Sequence, residues 1–511
     1  MAPSWTARSG SGRGLQTAAL LLGCASVRTE PLLHVAVVGG GIGGAASAWF
    51  LAEEATMRGL ELNITLMERS PQIGGRTHTI DFGGLRLDAG ATAISTLNEY
   101  LVGFVSKWGF ETDSDDNEAA PPADELGRAA RFGIWDGASF RVDTREGLAL
   151  PITVADRYGL SPLRSVKAVR EAAGGLGGVY KMQAEGRWFE TPSDMFAALG
   201  ILNFTQVTAY DFFEEIGVDK DFVLEFVDGA SRDNYNQAGS INAFVDLVSL
   251  AGAGIDGSVF SLTNGTTQIT EHLARESGAD VLVNANVTRV ESVEGRVRVS
   301  WQGGAGGAHG PSSPETATEF DAVVIATPLE LAGDLEIELS GSDGNIVTDR
   351  PYQTTHTTFV DGTLSPAYFD ISAAHPRPYD ILTMELEGVE FSSVGYHGAG
   401  TTRGASIYKL FSRVELDDEA LDRIFSARSA TERLVWRGAY PVLDPVDDEA
   451  WPRFDLNSGD GGGGDGTPLA PVMYVNAMES PVSCMETEII SAKNAALRIA
   501  DALEALSSTG T

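Results

Sequence analysis

The stretch HVAVVGGGIGG, residues 34–44, decides the fold. Residues 34–38 are apolar and rich in valine, which is typical of a buried parallel strand. The strand runs into a G-x-G-x-x-G turn formed by Gly39, Gly41 and Gly44, and a helix is predicted over 45–54. In such a turn the first glycine permits the bend, the second lets the backbone approach a pyrophosphate, and the third lets the helix pack on its strand. The helix N-terminus then favours the bound phosphates.

A carboxylate and a second glycine turn extend this motif. Residues 62–67 are predicted to form the next strand, and Glu68 ends it 24 residues after Gly44, near the spacing of a ribose-binding acid. The first turn alone fits either a nicotinamide cofactor or a flavin. Gly74-Gly75-Arg76 favours a flavin, because flavoproteins that retain their cofactor often carry such a turn near the pyrophosphate. The small residues of Asp88–Thr92 are then expected to lie against the flavin.

Length and charge restrict the function. The chain has 511 residues, of which 43% are hydrophobic, so roughly two to four domains with large cores are expected. The formal net charge of −35 argues against nucleic acid and anionic membrane as partners, since both require a cationic surface. The seven histidines are scattered without metal-ligand spacing, and no metal site is predicted.

Residues 1–30 are predicted to be a signal or transit segment. Arg8 and Arg13 precede a short apolar run at 15–23, and the small residues Cys24-Ala25-Ser26 follow, as in a secretory signal peptide. A plastid transit peptide and a bacterial lipid anchor on Cys24 remain alternatives, and no later stretch is apolar enough to be transmembrane. We therefore expect the secretory pathway, ending in a lysosome or vacuole, with peripheral membrane contact as a further expectation. Four N-x-Thr triplets are candidate glycosylation sites in that route: Asn63, Asn203, Asn264 and Asn286.

The remaining patterns divide the chain into two alternating parts. Apolar helical periodicity at 162–183, 208–216 and 222–230 predicts a helical lid. Further helices are predicted at 241–250 and 268–276, and strands at 281–283, 287–291 and 321–326.

The predicted fold is α/β, with a Rossmann-like FAD-binding domain built from discontinuous segments and an α+β substrate domain. The predicted FAD-binding segments are 34–110, 241–335 and 435–505, and the predicted substrate segments are 111–240, which holds the lid, and 336–434.

Several blocks resemble the prenylcysteine oxidase family, also called farnesylcysteine lyase, within the amine-oxidase-like flavoproteins. The likeness covers nearly the whole chain after residue 33 and is most particular at 234–244 and 436–441. The blocks that carry it are Val37–Gly44, Glu68–Arg76, Asn234–Gln237 with Ile241–Phe244, Ala326–Leu329, Trp436 with Ala439–Pro441, and Met485–Leu497.

The resemblance implies an FAD enzyme that cleaves the thioether of farnesyl- or geranylgeranyl-cysteine, using molecular oxygen. The products are free cysteine, a prenyl aldehyde and hydrogen peroxide. The carbon to be oxidised is allylic and next to sulfur, so the substrate itself stabilises the cation left by hydride loss. Water adds to that cation, and the hemithioacetal collapses to aldehyde and thiol. A strong protein base is not required, which fits a sequence without an obvious catalytic triad.

The expected cofactor-binding residues come from the motifs and from the resemblance. The first two blocks and the segment after Asp88 supply Gly39, Gly41, Ile42, Gly44, Glu68, Arg69, Gly75, Arg76, Ala91 and Thr92. By resemblance, the backbone of Val287 meets the adenine and Glu479 reaches the ribityl chain. Met485 and Glu486 begin a helix whose N-terminus faces the pyrimidine end of the flavin, where negative charge grows on reduction. The candidate catalytic residues are Tyr235, Asn236 and Met485.

Two other functions remain open at this point. A flavin amine or polyamine oxidase would want an acidic, aromatic pocket and a lysine near the flavin, for which the sequence shows no clear candidate. A catalytically silent relative would keep the flavin fold to carry lipid. Cys484 lies next to the final helix, and we interpret it as a small buried core residue rather than a redox group.

Overall fold

A computed structural model describes residues 32–113, 131–145, 156–253, 258–303, 315–333, 335–340, 349–371, 380–457 and 469–509. The predicted signal or transit segment, residues 1–30, lies outside these residues.

The described residues form helices and strands in alternation. The helices are α1 Ile42–Arg58, α2 Glu99–Trp108, α3 Ser161–Ala184, α4 Pro192–Ala198, α5 Ala209–Glu215, α6 Lys220–Phe222, α7 Asp228–Tyr235, α8 Ala243–Gly252, α9 Thr267–Glu276, α10 Asp418–Ile424 and α11 Met485–Thr509. The strands are β1 Leu33–Val38, β2 Leu62–Glu68, β3 Thr79–Phe82, β4 Leu85–Asp88, β5 Ile94–Ser95, β6 Thr112–Asp113, β7 Arg131–Trp135, β8 Phe140–Arg145, β9 Val259–Leu262, β10 Asp280–Val283, β11 Ala285–Val293, β12 Arg296–Gly303, β13 Glu315–Phe320, β14 Ala322–Ile325, β15 Glu336–Glu338, β16 Tyr352–Leu364, β17 Asp380–Thr383, β18 Ser393–Ala399, β19 Ser406–Ser412, β20 Phe425–Pro441 and β21 Val472–Tyr474.

A five-stranded parallel sheet forms the dinucleotide-binding half. Its order is β10-β2-β1-β14-β21, so strands from the beginning, middle and end of the chain lie side by side. Val35, Ala36 and Val37 of the central strand are fully buried, as expected of a sheet covered on both faces. The helix α1 packs on α11, and Lys493 Nζ lies 2.7 Å from Glu54 Oε1 between them. The predicted discontinuous Rossmann-like domain is confirmed.

A seven-stranded sheet, ordered β20-β16-β19-β18-β17-β7-β8, forms the second half. Its strands are antiparallel to their neighbours except β17 and β7, which run parallel. The 17-residue strand β20 stands at one edge of this sheet. Together with the helices that cover it, this sheet confirms the predicted α+β substrate domain. Three smaller sheets connect the halves, with orders β13-β12-β11-β15, β3-β4 and β5-β9-β6.

The predicted helical lid at 162–183, 208–216 and 222–230 corresponds to a layer formed by α3, α5, α6 and the start of α7. The predicted helix over 222–230 is present, but residues 223–227 form a π-helical turn between α6 and α7. Phe222 and Phe226 stack with ring centroids 5.1 Å apart, and Tyr158 meets both rings edge-on. The apolar character of this layer therefore comes from aromatic packing within it.

Two predicted domain limits fall inside structural units. The helix α8, predicted to open the second FAD-binding segment, packs on α3 and α7 and so joins the helical layer. Residues 435–441, predicted to open the third segment, continue β20 and pair with β16. Both segments contain hydrophobic residues, and periodicity alone does not show which core receives them. None of the described helices is long and apolar enough to cross a membrane.

Candidate functional site

The glycine turn after β1 is built as the motif requires. Gly39 adopts φ +108°, and a Cβ there would meet the carbonyl oxygen of Ala326 at 2.5 Å. A Cβ on Gly44 would lie 1.9 Å from the carbonyl oxygen of Gly39, so the helix cannot pack here with any side chain. A Cβ on Gly41 would meet no protein atom closer than Gly74 O at 3.9 Å. The protein itself does not require glycine at position 41, which is the property expected where a ligand must approach the backbone.

The start of α1 is arranged to receive an anion. Gly41 is the N-cap residue and forms no side-chain cap, and the first turn carries no acidic residue. Free N–H groups and the positive end of the helix dipole therefore remain available to a pyrophosphate. Glu68, at the end of β2, accepts hydrogen bonds from the backbone N–H groups of Gly40 and Ser70, both at 2.7 Å. These bonds place the carboxylate beside the turn, where a ribose-binding acid is expected.

Gly75 and Arg76 lead into a network that joins both halves. Gly75 adopts φ +58°, in the left-handed region that favours glycine. Arg76 forms an ion pair with Glu479 and donates to Ala439 O at 3.1 Å. The other carboxylate oxygen of Glu479 accepts a hydrogen bond from Tyr352 OH at 2.5 Å. Burial acts to raise the pKa of Glu479, but the charges of Arg76 and Arg350, together with the hydrogen bonds from Tyr352 and Arg76, hold this pKa below its usual value. Glu479 is therefore a buried anion held by the protein, and its contact with a ribityl chain stays a prediction.

A further buried carboxyl, Glu488, lies between this network and α1. Its Oε2 accepts from Asn476 Nδ2 at 3.3 Å and would lie 3.1 Å from a Cβ on Gly43. Its Oε1 and the Oδ1 of Asn476 are buried without a hydrogen-bond partner among the described residues. Burial, reinforced by the charge of Glu479, raises the pKa of Glu488 well above its usual value. Glu488 is therefore a buried carboxyl beside the N-terminus of α1 in surroundings that favour its protonated form.

Glu486, predicted to bind the cofactor, directs its side chain toward α2. Its carboxylate accepts from the backbone N–H groups of Tyr100 and Leu101, at 2.8 and 3.0 Å, and from Tyr180 OH at 2.7 Å. These are the first N–H groups of α2, so the side chain caps that helix. Burial raises the pKa of Glu486 to about 7, although the three donors oppose the shift. These bonds join α11 to α2 through the side chain of Glu486, and its part in cofactor binding stays a prediction.

Three further residues predicted to bind the cofactor are Ile42, Arg69 and Val287. Ile42 is the first residue of α1 and is 9% exposed. Arg69 is exposed at the end of β2, with Nη1 3.5 Å from Leu331 O. Val287 lies at an irregularity of the β11–β12 ladder, and the start of β11 is tied to the end of β2 by a 2.9 Å bond from Asn284 N to Ser70 O.

The segment predicted to lie against the flavin faces the second half of the molecule. Ala91 N donates to Arg76 O at 3.1 Å, which fixes this segment beside the second glycine turn. Thr92 Oγ1 lies 3.1 Å from Lys409 Nζ, on β19 of the seven-stranded sheet. Sequence analysis missed Lys409. It is the single charged residue in the apolar run Ile407-Tyr408-Lys409-Leu410-Phe411, and that isolation is the signal by which it can be found.

The two lid residues proposed as catalytic differ in their surroundings. Tyr235 is 3% exposed and packs edge-on against Tyr440, with ring centroids 5.0 Å apart. Burial raises the pKa of Tyr235, and the nearby Cys484 adds to this shift. Asn236 is 1% exposed, in a left-handed turn at φ +56°, and its amide bonds to Thr355 and Ser392. The amide of Asn236 is thus engaged in joining the lid to the sheet. The catalytic roles of Asn236, Tyr235 and Met485 therefore stay predictions.

Comparison with known proteins identifies the family. A family model described as prenylcysteine lyase matches residues 151–508, and one described as an NAD(P)-binding Rossmann-like domain matches residues 37–108. The chain is 28% identical to "Farnesylcysteine lyase" of Arabidopsis thaliana over 475 residues, which covers 90% of this chain and 87% of that protein. It is 28% identical to "Prenylcysteine oxidase 1-like" of Bos taurus over 507 residues, or 95% of this chain and 94% of that protein.

Among solved structures, cyclohexylamine oxidase from Brevibacterium oxydans has a similar fold. Its TM-score is 0.58 at 17% identity, and the match covers 93% of this chain and 100% of that one. The resident cofactor of this chain is FAD, and the glycine turns described above fit a dinucleotide. The chain is therefore an FAD-dependent oxidoreductase, and it belongs to the prenylcysteine lyase family.

Proposed function

We propose that this chain oxidises the thioether of farnesyl- or geranylgeranyl-cysteine. One thioether, one O₂ and one water give one prenyl aldehyde, one cysteine and one hydrogen peroxide. The observation that carries the proposal is the extent of the prenylcysteine lyase match, residues 151–508, which spans the lid and the seven-stranded sheet. That part of the chain must select the substrate, because the glycine turn at 39–44 is common to many dinucleotide-binding proteins.

The chemistry places modest demands on the protein. FAD supplies the hydride acceptor, and dioxygen returns it to the oxidised form. The C–H bond that breaks is next to sulfur, so the substrate stabilises its own cation before water adds and the C–S bond breaks. The protein must hold that carbon in a fixed position, shield the prenyl chain and admit water and oxygen.

We assign cofactor binding to two groups of residues. The backbone at Gly39, Gly41, Ile42 and Gly44 receives the pyrophosphate, and Glu68 binds the ribose of the adenosine. Gly75, Arg76, Ala91 and Thr92 line the flavin side, with Glu479 held in place by Arg76. The N-terminus of α11 at Met485 supports negative charge on the bound group. The raised pKa values of Glu486 and Glu488 reduce the negative charge of this first turn, so its dipole is preserved.

We assign substrate contact to an aromatic wall formed by Tyr235 and Tyr440. Tyr235 and Tyr440 meet edge-on at 5.0 Å, and burial raises the pKa of Tyr440 to about 12, so both phenols stay neutral. Two neutral rings and Met485 offer apolar surface suited to a prenyl chain.

The test is anaerobic mixing of the purified protein with farnesylcysteine while the visible flavin absorbance is recorded. We expect bleaching, with farnesal and free cysteine formed in equal amounts. S-methylcysteine is the matched control, because its carbon next to sulfur is not allylic and bleaching should be absent. Absorbance that persists with farnesylcysteine would contradict the proposed function.

An amine oxidase is the second candidate, and one observation favours it. The buried Lys409 beside Thr92 is the lysine that such an enzyme would need near the flavin. The same anaerobic experiment with putrescine and spermine separates the two functions, because only an amine oxidase bleaches with them. A protein that none of these compounds bleaches would be a silent relative that carries lipid.

We further propose entry into the secretory pathway, with a lysosome or vacuole as destination. Asn203 and Asn264 are exposed, whereas Asn63 and Asn286 are half-buried in strands, so glycans are expected on the first two. Endoglycosidase treatment should increase the electrophoretic mobility of the wild type. The loss of this shift in a variant that carries both Asn203→Gln and Asn264→Gln would support this route. Import into plastids, or lipid modification of Cys24 in a bacterial envelope, would replace it.

Peripheral membrane contact is proposed at the start of α3. Leu160 and Leu163 are 62% and 67% exposed, and the exposed Arg164 and Lys167 lie beside them. This local combination suits the interface of a bilayer despite the acidic chain. Sedimentation with uncharged phosphatidylcholine vesicles should capture the protein, and Leu163→Ser should reduce capture at unchanged FAD content. Equal recovery of wild type and variant with vesicles would exclude this contact.

A further inference from the structure

The seven-stranded sheet carries an unusual row of polar residues on the face toward the FAD-binding half. Lys409 on β19 pairs with Gly395 on β18, which has no side chain to separate its neighbours. A Cβ on Gly395 would lie 3.5 Å from Asp380 Oδ1 and 3.7 Å from His397 Nε2. The absence of a side chain on Gly395 therefore leaves room above the sheet for charged groups from three strands to approach one another.

The helix α7 covers this row and adds another carboxylate. A Cβ on Gly229 would touch Leu382 of β17 at 3.2 Å, so the helix lies directly on the sheet. Asp233, one turn further on, accepts a hydrogen bond from Ser393 of β18. From the opposite side, Lys409 Nζ reaches Asp88 O at 3.3 Å and Thr92 Oγ1 at 3.1 Å. Lys409 and Asp233 thus lie where the lid, the sheet and the proposed flavin segment meet.

Lys409 and Asp233 are not in direct contact, because no hydrogen bond or ion pair within the described residues joins them. The charge of Lys409 is attracted through space by three carboxylates, most strongly by Asp88 and then by Asp233 and Asp380. Burial lowers the pKa of Lys409 and raises the pKa of Asp233. His397 adds no positive charge, because burial and the nearby Lys409 lower its pKa to about 3. A buried charge without a close partner of opposite sign is unfavourable, and a ligand that supplies such a partner lowers that cost.

Asp233 is better placed for a ligand than its acidic neighbour Asp88. Asp88 Oδ1 accepts from Thr79 Oγ1 at 2.8 Å and from Thr266 N at 2.9 Å, so the fold already satisfies it. Asp233 and His397 are half-buried, so part of each side chain keeps the accessible surface that a ligand needs.

We propose that Lys409 and Asp233 form a binding site for the amino-acid end of the substrate, with Lys409 receiving the α-carboxylate and Asp233 the α-ammonium group. This inference rests on the proposed function. A zwitterion carries both charges on one carbon and compensates both buried groups at once. The apolar tail of such a ligand is then free to lie along the aromatic wall of Tyr235 and Tyr440.

The test compares three substrates with two variants. The substrates are farnesylcysteine, its methyl ester, which lacks the carboxylate, and its N-acetyl derivative, which lacks the ammonium group. Lys409→Met should raise KM at least tenfold for farnesylcysteine and for the N-acetyl compound, and less than twofold for the ester. Asp233→Asn should raise KM at least tenfold for farnesylcysteine and for the ester, and less than twofold for the N-acetyl compound. A tenfold change corresponds to about 1.4 kcal/mol.

This crossed pattern separates recognition from general damage. Variants that merely disturb packing would raise KM equally for all three substrates, and that result would overturn the inference. Lys181→Met on α3, where the side chain is 82% exposed, is the matched control and should leave all three KM values and the FAD content unchanged.

Equilibrium binding keeps the inference testable if turnover fails. S-dodecylcysteine has a saturated carbon next to sulfur, so its binding is measured by thermal shift without oxidation. If S-dodecylcysteine stabilises the wild type but neither Lys409→Met nor Asp233→Asn, the binding site is supported. A failure to oxidise farnesylcysteine would then refute only the proposed function. Equal stabilisation of wild type and both variants would overturn the site.

Discussion

In the five-stranded parallel sheet the polar groups of the site stand where strands end, whereas in the seven-stranded sheet they stand in mid-strand. Gly39 follows β1, whose residues Val35–Val38 are apolar and buried, and Glu68 closes β2, whose last residues are buried. Lys409 instead interrupts β19, and Thr357 on β16 bonds to Ala89 O at 2.9 Å. A parallel sheet presents ligand groups at its carboxyl edge, but an antiparallel sheet with one open face presents side chains along its length.

This contrast teaches that the two ligands are held by different parts of the chain. The first sheet offers mainly backbone groups and space, which depend on glycine. The second offers side chains, whose charge and shape depend on single residues. Substitutions in the first region should therefore affect folding or FAD, and those in the second should affect substrate selection.

The largest expected effect is at Gly44, where any side chain would clash with the backbone of the glycine turn. Gly44→Ala places a Cβ 1.9 Å from Gly39 O, so α1 must move off its strand. We expect a loss of more than about 4 kcal/mol in the free energy of unfolding, and little soluble protein. Gly174→Ala is the matched control, because this helical glycine has nothing within 4 Å of an added Cβ. Equal yields of the two variants would contradict the close helix–strand packing.

Gly41→Val should remove FAD while leaving the fold intact. A Cβ here meets only Gly74 O at 3.9 Å, so the FAD-free variant should match FAD-stripped wild type to within about 1 kcal/mol in unfolding free energy. The flavin absorbance of the purified variant should be absent. Retention of FAD would show that the pyrophosphate lies elsewhere, and the stripped wild type controls for stability lost with the cofactor.

Glu68→Ala should weaken FAD binding about 10- to 100-fold, because it removes a charged acceptor worth about 1.5–3 kcal/mol. Fluorescence titration of the stripped protein with FAD measures this loss. Relative kcat/KM for farnesyl- and geranylgeranyl-cysteine should not change, since Glu68 belongs to the parallel sheet. A change in substrate preference alone would place Glu68 at the substrate.

The last expected effect is a pH dependence in the lid. Asp228 accepts from Gly239 N at 2.9 Å and Tyr210 OH at 2.9 Å, and burial raises its pKa from 3.8 to about 6. A raised pKa means that the folded state prefers the protonated acid, so this contribution to stability is full below about pH 4 and is lost as pH rises through about 6.

Asp228→Asn keeps the acceptor and does not titrate. Relative to wild type, this variant should gain on the order of 2–3 kcal/mol of stability between pH 4 and pH 7.5. Melting curves at both pH values measure the difference. The exposed Asp221→Asn is the control and should show no such gain. A constant offset between Asp228→Asn and wild type would indicate that Asp228 is not titrating in the lid.

Local patterns predicted much of the first region. The order of strand, glycine turn, helix and acid at 34–68 predicts the local structure, because these residues contact neighbours that are close in the sequence. The second region depends on distant partners. Asn236 was assigned to catalysis, yet its amide partners lie 119 and 156 residues away in sequence. Lys409 meets Thr92 across 317 residues, and Arg76 meets Glu479 across 403. Periodicity carries no information about such pairings, so these roles required the structure.

The position of β21 and α11 has a consequence for synthesis. The parallel sheet needs its last strand, residues 472–474, and α1 packs on α11 through a contact that joins residues 439 positions apart. During synthesis β1, β2 and the glycine turn therefore emerge from the ribosome long before β21 and α11 have been made. Until then the emerging apolar strands have open edges, and stable uptake of FAD must follow completion of the chain. A nascent chain stalled near residue 450 would consequently depend on chaperones, despite containing the complete dinucleotide motif.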